Sequence, residues 1–265
     1  MSERRPGGSL SGCRVLLTRP GEQGLRTAEL LRERGAEPRV MPTIVIEPAA
    51  DRPALEHALA HLGDYDWIAF TSENGVARSF AALGALGLDA SARGTARIAA
   101  IGAGTAAALG AAGAHADLVA PESRGEGLAA AMLEAMAPGA RVLILRAAEA
   151  REVLPDTLRA RGCVVDVVAA YRTVAAPPEQ LGAIAQALEA GEIDAALFTS
   201  ASTLRTLCAY LGPRAAVLLG RVRVATIGPV TTQAAAAQGV RVDAEAREPT
   251  PLGLARALEA SYCRD

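Results

Sequence analysis

Short apolar runs alternate along this chain with longer segments in which apolar residues recur at helical spacing. After the first run, Leu25, Leu30 and Leu31 mark one face of a helix that we expect to end at Gly35. A second helix is predicted near residues 153–161, with Gly162 as its stop. The predicted strands lie at residues 14–17, 40–46, 67–70, 97–101, 141–145, 164–171, 195–198 and 223–227. Strands that alternate with helices at this spacing predict an α/β fold with parallel sheets.

The chain contains the same three sequence blocks twice, in the same order. The paired blocks are residues 12–40 and 139–167, residues 66–72 and 194–200, and residues 97–117 and 223–243. Their offsets are 127, 128 and 126 residues, so the blocks belong to one duplicated unit. An internal duplication of this size predicts two similar modules with a cleft between them, where small molecules commonly bind.

Two stretches rich in Pro and Ala, residues 49–53 and 175–178, follow the first block of each repeat and are interpreted as crossings between domains. If each domain held one whole repeat, a single crossing near residue 138 would suffice. Two crossings favour a discontinuous arrangement, in which about residues 50–168 form one domain and the flanking segments form the other. Periodicity alone leaves both arrangements open.

Composition and charge narrow the class of protein. With 265 residues the chain is long enough for two compact domains. Hydrophobic residues make up 51% and aromatic residues only 3%, so the core must consist of Ala, Val, Leu and Ile, as is usual for parallel sheets covered by helices. The net charge of −2 gives no support to nucleic-acid binding, which needs a basic face. A small anionic ligand remains compatible with it, because a cleft can be positive on a protein of low net charge.

The cysteines and histidines show no spacing that is typical of a metal site. None of Cys13, Cys163, Cys208 and Cys263 forms a CxxC pair, and the three histidines supply no zinc set, so we expect free thiols and no metal. No apolar run approaches the roughly 18 residues that a membrane span needs. The start MSERRPGGSLSG has no apolar signal region. We therefore expect a cytoplasmic protein that binds neither membrane nor nucleic acid.

Eight segments, taken in their order and spacing, resemble the uroporphyrinogen-III synthase family. They are VLLTRPGEQ, DWIAFTSENGV, IAAIGAGTAAAL, RVLILRAAEARE, AYRTVAAP, LFTSASTL, VATIGPVTTQAAAAQGV and EPTPLGLARAL. The resemblance implies two similar parallel-sheet α/β domains joined by a two-stranded β linker. It also implies the discontinuous split, with residues 1–42 and 176–265 in one domain, residues 50–168 in the other, and linker strands at 43–49 and 169–175.

The resemblance also implies an activity. The family closes the linear tetrapyrrole hydroxymethylbilane into uroporphyrinogen III, with loss of the terminal hydroxyl as water and inversion of ring D through a spiro intermediate. This is a cofactor-free hydro-lyase reaction of tetrapyrrole biosynthesis. We expect a monomer whose partner is the small-molecule substrate, with hydroxymethylbilane synthase as a transient protein partner.

Four strand-to-helix turns are candidate substrate-binding sites, because the substrate bears eight carboxylates and helix N-termini bind anions without net positive charge. In a parallel sheet such turns lie at the carboxyl edge, where ligands bind. The alternative is a structural role without ligand binding, in which the Thr and Ser residues only cap helices and the Gly residues only allow the backbone to turn. The candidate residues are Thr71, Ser72, Asn74, Gly102, Gly104, Thr105, Thr199, Ser200, Ala201, Ser202, Gly228, Pro229 and Thr231.

Tyr171 is the candidate catalytic residue. Its partner in the first repeat, at an offset of 127, is Ile44, so a polar aromatic side chain stands where the other repeat has an aliphatic one. By resemblance, the tyrosine of AYRTV is the one thought to assist loss of the leaving hydroxyl. A phenol is protonated at neutral pH and can donate to a departing oxygen. The alternative is a packed tyrosine with its hydroxyl at the surface.

Arginines complete the set of candidate substrate contacts. Arg19 and Arg146 occupy matching positions after the first strand of each repeat, and Arg151 follows in AAEARE. Arg suits bidentate contact with carboxylates, although a solvated or capping arginine is the alternative. Many relatives have a glycine-rich turn at residues 147–150, and Glu149 in this chain would repel carboxylates.

Two alternatives from other functional classes stay open. One is a non-catalytic relative that binds tetrapyrroles or anions, which the altered AAEARE loop supports. The other is a nucleotide-binding regulatory module, because Gly102-Ala-Gly-Thr-Ala-Ala imitates a GxGxxA fingerprint. Against the second, the other repeat has Pro229 and Val230, and Asp117 comes too early to be the ribose-binding acid.

Overall fold

A computed structural model describes residues 10–262 of the chain and gives an alternating order of strands and helices. The strands are β1 (Arg14–Leu17), β2 (Glu37–Val40), β3 (Ile44–Pro48), β4 (Trp67–Phe70), β5 (Arg97–Ala100), β6 (Leu118–Val119), β7 (Arg141–Ala147), β8 (Val164–Ala175), β9 (Ala195–Phe198), β10 (Arg223–Thr226) and β11 (Ala244–Glu245). The helices are α1 (Gly21–Arg32), α2 (Arg52–Ala60), α3 (Glu73–Ala85), α4 (Ala103–Ala111), α5 (Gly125–Ala135), α6 (Val153–Ala160), α7 (Pro178–Glu189), α8 (Ala201–Leu211), α9 (Ala215–Leu219), α10 (Pro229–Ala236) and α11 (Pro251–Tyr262). Short 3-10 turns occupy Leu62–Asp64, Ala90–Arg93 and Gly212–Arg214.

The strands form two sheets with the same core order. One sheet runs β11-β10-β9-β1-β2 and the other runs β3-β8-β7-β4-β5-β6. All pairs from β11 to β2, and all pairs from β8 to β6, are parallel, which confirms the predicted α/β class. Aligned on the repeats, β2-β1-β9-β10-β11 corresponds to β8-β7-β4-β5-β6. Each sheet therefore takes its first block from one repeat and its other two blocks from the other.

The chain divides into two compact units. Unit 2 consists of Ile46–Thr173, and unit 1 contains the described residues up to Val45 and from Val174 onward. The boundaries fall within β3 and β8, which are neighbours in the six-stranded sheet. In each unit, buried and mainly aliphatic clusters cover both faces of the sheet, so central strands such as β4 and β9 are apolar throughout.

One predicted strand is wrong. The expected strand at residues 40–46 is two strands, β2 and β3, which belong to different sheets. Pro42 lies in the break, and a proline has no N–H to donate to a sheet. The equivalent residue of the other repeat is Ala169, and there the chain continues as a single strand, β8.

A bulge in β8 sets the orientation of Tyr171. Arg146 of β7 pairs with Ala169, but the next residue, Ala147, pairs with Tyr171, so Ala170 has no partner across this ladder. Side chains in a regular strand alternate between faces, whereas here Ala170 and Tyr171 are both buried in the same apolar cluster. An extra residue of this kind re-aims the side chain that follows it.

Glycines end the helices where the sequence predicts. Gly35 and Gly162 both have a φ of +83°, a backbone conformation that L side chains rarely adopt. Each follows the last turn of its helix, α1 or α6, and permits the chain to turn into the next strand.

The Tyr65 hydroxyl connects the segment that precedes β4 in unit 2 to β8. It donates a hydrogen bond of 2.9 Å to Oδ2 of Asp166. Burial, together with this hydrogen bond to a carboxylate, raises the pKa of Tyr65 to about 12 from an ordinary value of 10.0. In the unfolded chain the phenol therefore loses its proton at lower pH than in the folded protein.

This difference predicts a pH dependence of stability. The contribution of Tyr65 to the free energy of unfolding is complete below pH 10.0 and is lost as pH rises toward about 12. We expect Tyr65→Phe to show a smaller loss of stability between about pH 9 and 11.5 than the wild type, measured by urea unfolding at each pH. Tyr210→Phe, which removes the hydroxyl of a partly exposed tyrosine, is the control. Identical pH profiles for Tyr65→Phe and wild type would contradict the prediction.

Candidate functional site

The predicted turns lie at the carboxyl edge of each sheet. In unit 2, β4 and β5 are parallel neighbours, so residues 71–74 and 102–105 follow them at the same edge. In unit 1, β9 and β10 are parallel neighbours, and residues 199–202 and 228–231 follow them in the same way. Each unit therefore presents two adjacent helix N-termini at the edge where α/β proteins bind ligands.

Serines cap the first helix of each pair, as the Thr-Ser sequences predict. Ser72 Oγ accepts a hydrogen bond of 3.0 Å from the Gly75 N–H at the start of α3. Ser200 Oγ accepts one of 3.3 Å from the Thr203 N–H at the start of α8. A cap of this kind satisfies one of the free N–H groups of the helix and leaves others available for a ligand.

Tyr171 is buried beside the cap of α3. Its side chain is 6% exposed, and its hydroxyl oxygen lies 3.0 Å from Ser72 Oγ, within hydrogen-bond distance. The Tyr171 carbonyl accepts from Ala148 N–H at 2.9 Å, which fixes the backbone at the bulge. The structure thus brings the candidate catalytic phenol to the same edge as the turns at residues 71–74.

The turn at the start of α4 is crowded by an acidic side chain that sequence reasoning missed. A Cβ on Gly104 would lie 2.6 Å from Glu73 Oε1, and a Cβ on Gly102 would lie 2.2 Å from Ser123 Oγ. A carboxylate at a helix N-terminus is stabilised by the helix dipole and competes with an anionic ligand. The sequence signal was present, since the other repeat has Ala201 at the position of Glu73. Thr105 is buried in the first turn of α4.

Thr71 and Asn74 of unit 2 are half-buried, and the counterpart of Thr71 in unit 1 is more deeply buried. Thr199, the counterpart of Thr71, is 8% exposed, and its Oγ1 has no hydrogen-bond partner among residues 10–262. A buried hydroxyl without a partner carries a desolvation cost that a bound ligand or water removes.

The two turns of unit 1, at residues 199–202 and 228–231, offer a ligand fewer N–H groups than the two turns of unit 2. Ser200 Oγ lies 2.9 Å from Ser202 Oγ, so these two hydroxyls bond to each other. Pro229 begins α10 and has no N–H, while the Gly228 carbonyl accepts from Thr231 N–H at 3.0 Å. The α10 turn therefore offers fewer N–H donors than the turn at Ser200.

The candidate arginines Arg146 and Arg151 are paired with acids. Arg146 is 7% exposed, donates to the Arg151 carbonyl at 2.8 Å and forms an ion pair with Glu152. Arg151 is exposed and donates to both carboxylate oxygens of Glu126, at 2.8 and 3.2 Å, which holds the pKa of that carboxyl below its ordinary value. A substrate carboxylate at either guanidinium would compete with the carboxylate that it already contacts.

The third arginine, Arg19, follows β1 in unit 1 and is half-buried. Its backbone is packed tightly, because a Cβ on Gly24 would lie only 2.3 Å from the Arg19 carbonyl oxygen. This close approach constrains the backbone of the turn between β1 and α1. The Arg19 side chain therefore starts from a fixed backbone position at the carboxyl edge of the sheet.

Cys13, Cys163 and Cys208 are buried cysteines outside any disulfide, and Cys263 lies outside the described residues. No group of three His, Cys, Asp or Glu side chains suited to a metal ion occurs in the described part of the chain. None of the helices between residues 10 and 262 is long and apolar enough to cross a membrane.

With this geometry in place, comparison with known proteins decides the family. The family model described as Uroporphyrinogen-III synthase HemD matches residues 26–256, most of the chain. The chain belongs to the uroporphyrinogen-III synthase family. All four candidate turns and Tyr171 lie within the matched range, and so do the repeated blocks except for residues 12–25.

Individual relatives in the uroporphyrinogen-III synthase family cover the chain to different extents. The Porphyrin biosynthesis protein HemD of Ruminiclostridium josui is 32% identical over 232 residues, which are 88% of this chain and 45% of that protein. The Uroporphyrinogen-III synthase of Synechococcus elongatus is 33% identical over 258 residues, which are 94% of this chain and 96% of that protein. The chain thus spans less than half the length of the first relative and nearly all of the second.

A solved structure has the same fold. The crystal structure of a mutant Uroporphyrinogen III Synthase from the extremely thermophilic bacterium Thermus thermophilus superposes with a TM-score of 0.69 at 23% identity, covering 96% of this chain and 100% of that one. At this identity the likeness establishes the fold, and it agrees with the two parallel-sheet units of the uroporphyrinogen-III synthase family.

Proposed function

We propose that this chain converts hydroxymethylbilane into uroporphyrinogen III, with inversion of ring D and loss of water. The observation that carries the proposal is the position of Tyr171. In a member of this family, its buried phenol lies 3.0 Å from the serine that caps α3, beside the free N–H groups at the carboxyl edge. A proton donor next to anion-binding turns is what a polycarboxylate with a hydroxyl leaving group requires.

The turns at the carboxyl edges bind the acetate and propionate groups of the substrate in this proposal. The chain carries a net charge of −2, so the contacts come mainly from backbone N–H groups and hydroxyls rather than from a basic surface. Thr71, Asn74 and the backbone N–H groups that follow Ser72 contribute from unit 2, and Thr199, Ser200 and Ser202 contribute from unit 1. The unpartnered Oγ1 of Thr199 supports a ligand contact at that turn.

Tyr171 acts as the general acid. It donates its proton to the terminal hydroxyl as the C–O bond breaks, and the bond pair leaves with oxygen as water. The carbocation is delocalised into its pyrrole ring and forms a C–C bond to the substituted carbon of ring D, which gives the spiro intermediate. The older bond from this carbon to its methylene bridge then breaks, and the methylene carbon, now cationic and delocalised into the neighbouring pyrrole, bonds to the free α-carbon of ring D, which inverts the ring. The proton lost from that α-carbon as ring D regains aromaticity returns to the Tyr171 phenolate. The bonds balance with one water released, which defines a hydro-lyase.

Positioning accounts for most of the catalysis in this scheme. A phenol is a modest acid at neutral pH, which suits a substrate that ionises readily. The main task is to hold the two ends of the bilane so that the inverted closure precedes the direct one. No electron is transferred, so the reaction needs no redox cofactor.

We also propose that the chain acts as a cytoplasmic monomer that receives its substrate from hydroxymethylbilane synthase. Sedimentation of a mixture of the two proteins measures that contact.

Product isomer analysis tests the function. Hydroxymethylbilane is generated in situ by its synthase, with and without this protein, and the products are oxidised and separated by chromatography. Spontaneous closure gives isomer I, so we expect isomer III to dominate when the protein is present. Isomer I alone, from protein that is folded by circular dichroism, would contradict the proposal.

A non-catalytic binding relative is the second candidate, and one observation favours it. In the loop that departs from the family pattern, Arg146 and Arg151 are held by Glu152 and Glu126, and Glu149 accepts from Thr173 N–H at 3.1 Å. Isomer I alone, together with thermal stabilisation by uroporphyrinogen, would establish this second function.

A further inference from the structure

We propose that Ser72 is a positioning residue for Tyr171: its hydroxyl orients the phenol and stabilises the negative charge that forms on it. This inference rests on the proposed function, because it assigns a role within that reaction. It is carried by two contacts of one oxygen atom. Ser72 Oγ accepts from Gly75 N–H at 3.0 Å and lies 3.0 Å from the Tyr171 hydroxyl oxygen.

The chemistry of a serine hydroxyl determines which way this chain of bonds runs during the reaction. Oγ has one proton to donate and two lone pairs, and the Gly75 N–H occupies one lone pair. Its proton is therefore available to Tyr171, and once Tyr171 has given up its own proton, Ser72 is the donor to the phenolate. The Gly75 N–H belongs to the first turn of α3, where the helix dipole is positive, so it polarises the Ser72 O–H in the required direction.

Burial makes this bond stronger than it would be in water. Tyr171 is 6% exposed and packs in an apolar cluster, where a developing negative charge receives little help from solvent. A hydrogen bond to a charged oxygen in such surroundings is roughly twice as strong as a neutral one. Ser72 therefore contributes little when Tyr171 is neutral and most when the leaving hydroxyl takes its proton.

The duplication provides an internal comparison. Ser200 occupies the position of Ser72 in unit 1 and caps α8 in the same way. The residue that corresponds to Tyr171 is Ile44, and Ser200 Oγ bonds to Ser202 Oγ at 2.9 Å. The cap is thus common to both repeats, whereas the bond to a phenol occurs only at Ser72 among the described residues of the two turns. Capping alone does not account for it.

Steady-state kinetics with Ser72→Ala and Ser72→Thr test the proposal. We expect Ser72→Ala to lower kcat for isomer III formation about tenfold with KM within about twofold, because the lost bond forms fully only as charge develops. Ser72→Thr keeps a hydroxyl and should restore kcat to within about threefold of the wild type. A rise in KM with unchanged kcat would make Ser72 a substrate contact and would overturn the positioning role.

A spectroscopic measurement separates this inference from the function itself. The protein is labelled with tyrosine carrying ¹³C at the ζ carbon, and the Tyr171 resonance is assigned by its loss in Tyr171→Phe. Without any substrate, we expect Ser72→Ala to move that resonance and Ser200→Ala to leave it in place, although each variant loses a helix cap. An unmoved resonance in Ser72→Ala would overturn the inference. Failure to form isomer III in the wild type would overturn the proposed function and leave the resonance test decisive on its own.

Discussion

We expect the replacement of Tyr171 by phenylalanine to lower kcat for the proposed formation of uroporphyrinogen III by about 100-fold, the lower end of what a positioned general acid supplies. The lower end is expected because the leaving hydroxyl departs with help from the electron-rich pyrrole, so the phenol assists rather than drives the step. The ring of phenylalanine fills the same buried space, and the variant keeps the fold. KM changes little, since no carboxylate contact is lost. The measurement is the initial rate of isomer III formation under saturating substrate.

Tyr210→Phe is the matched control, because it removes a hydroxyl from a partly exposed tyrosine of α8. Its kcat should equal that of the wild type. In Tyr171→Phe, slow enzymatic closure also lets the spontaneous reaction compete, so the fraction of isomer I rises. A kcat for Tyr171→Phe within about threefold of the wild type would remove Tyr171 from the acid role and leave positioning as the source of catalysis.

Replacing Phe198 by alanine destabilises unit 1 by about 3–5 kcal/mol, the usual cost of truncating a fully buried phenylalanine. Phe198 is 0% exposed and lies at the end of β9, between β1 and β10. Its ring packs in a cluster with residues of α7 and α8, so a cavity left there cannot be filled by solvent. Phe198→Leu conserves much of the volume and should cost less than about 1.5 kcal/mol.

The single tryptophan makes this prediction specific to one unit. Trp67 is buried in β4 of unit 2, so its fluorescence reports on that unit, while far-ultraviolet circular dichroism reports on both. In urea titrations of Phe198→Ala, we expect the circular dichroism transition to move to lower urea by more than the fluorescence transition. A midpoint equal to that of the wild type by circular dichroism would contradict the buried position of Phe198.

Most of the fold could be predicted because its signals are local. Buried parallel strands are short apolar runs, and β1, β4 and β9 occupy the predicted residues. Gly35 and Gly162 fix helix ends by backbone conformation alone. The strand expected at residues 40–46 failed at Pro42, where apolar character continues across a residue that cannot pair. The hydrophobic pattern identifies such a segment but does not show where the strand is interrupted.

The site was predictable only in part, for a related reason. Ser72 and Ser200 as helix caps follow from neighbours in sequence, and the structure confirms them. The Glu73 carboxylate beside Gly104 and the ion pair of Arg146 with Glu152 depend on where other elements place their side chains. The bulge at Ala170 depends on how β8 matches β7, which no single strand encodes. Whether the candidate residues bind substrate stays a prediction.

The exchange of strands between the repeats has a consequence for how the chain folds as it is synthesised. Unit 2 is continuous, so all of its strands have emerged once Thr173 has been made. In unit 1, Val15 of β1 pairs with Ala195 of β9, so β1 lacks this neighbour until β9 has been made. Contacts between residues so distant in sequence form slowly, because a long loop must close first. The edge of β1 that faces β9 therefore lacks its neighbour until the last third of the chain is made, while β2 is available at the other edge, and we expect the sheet of unit 1 to be completed after that of unit 2.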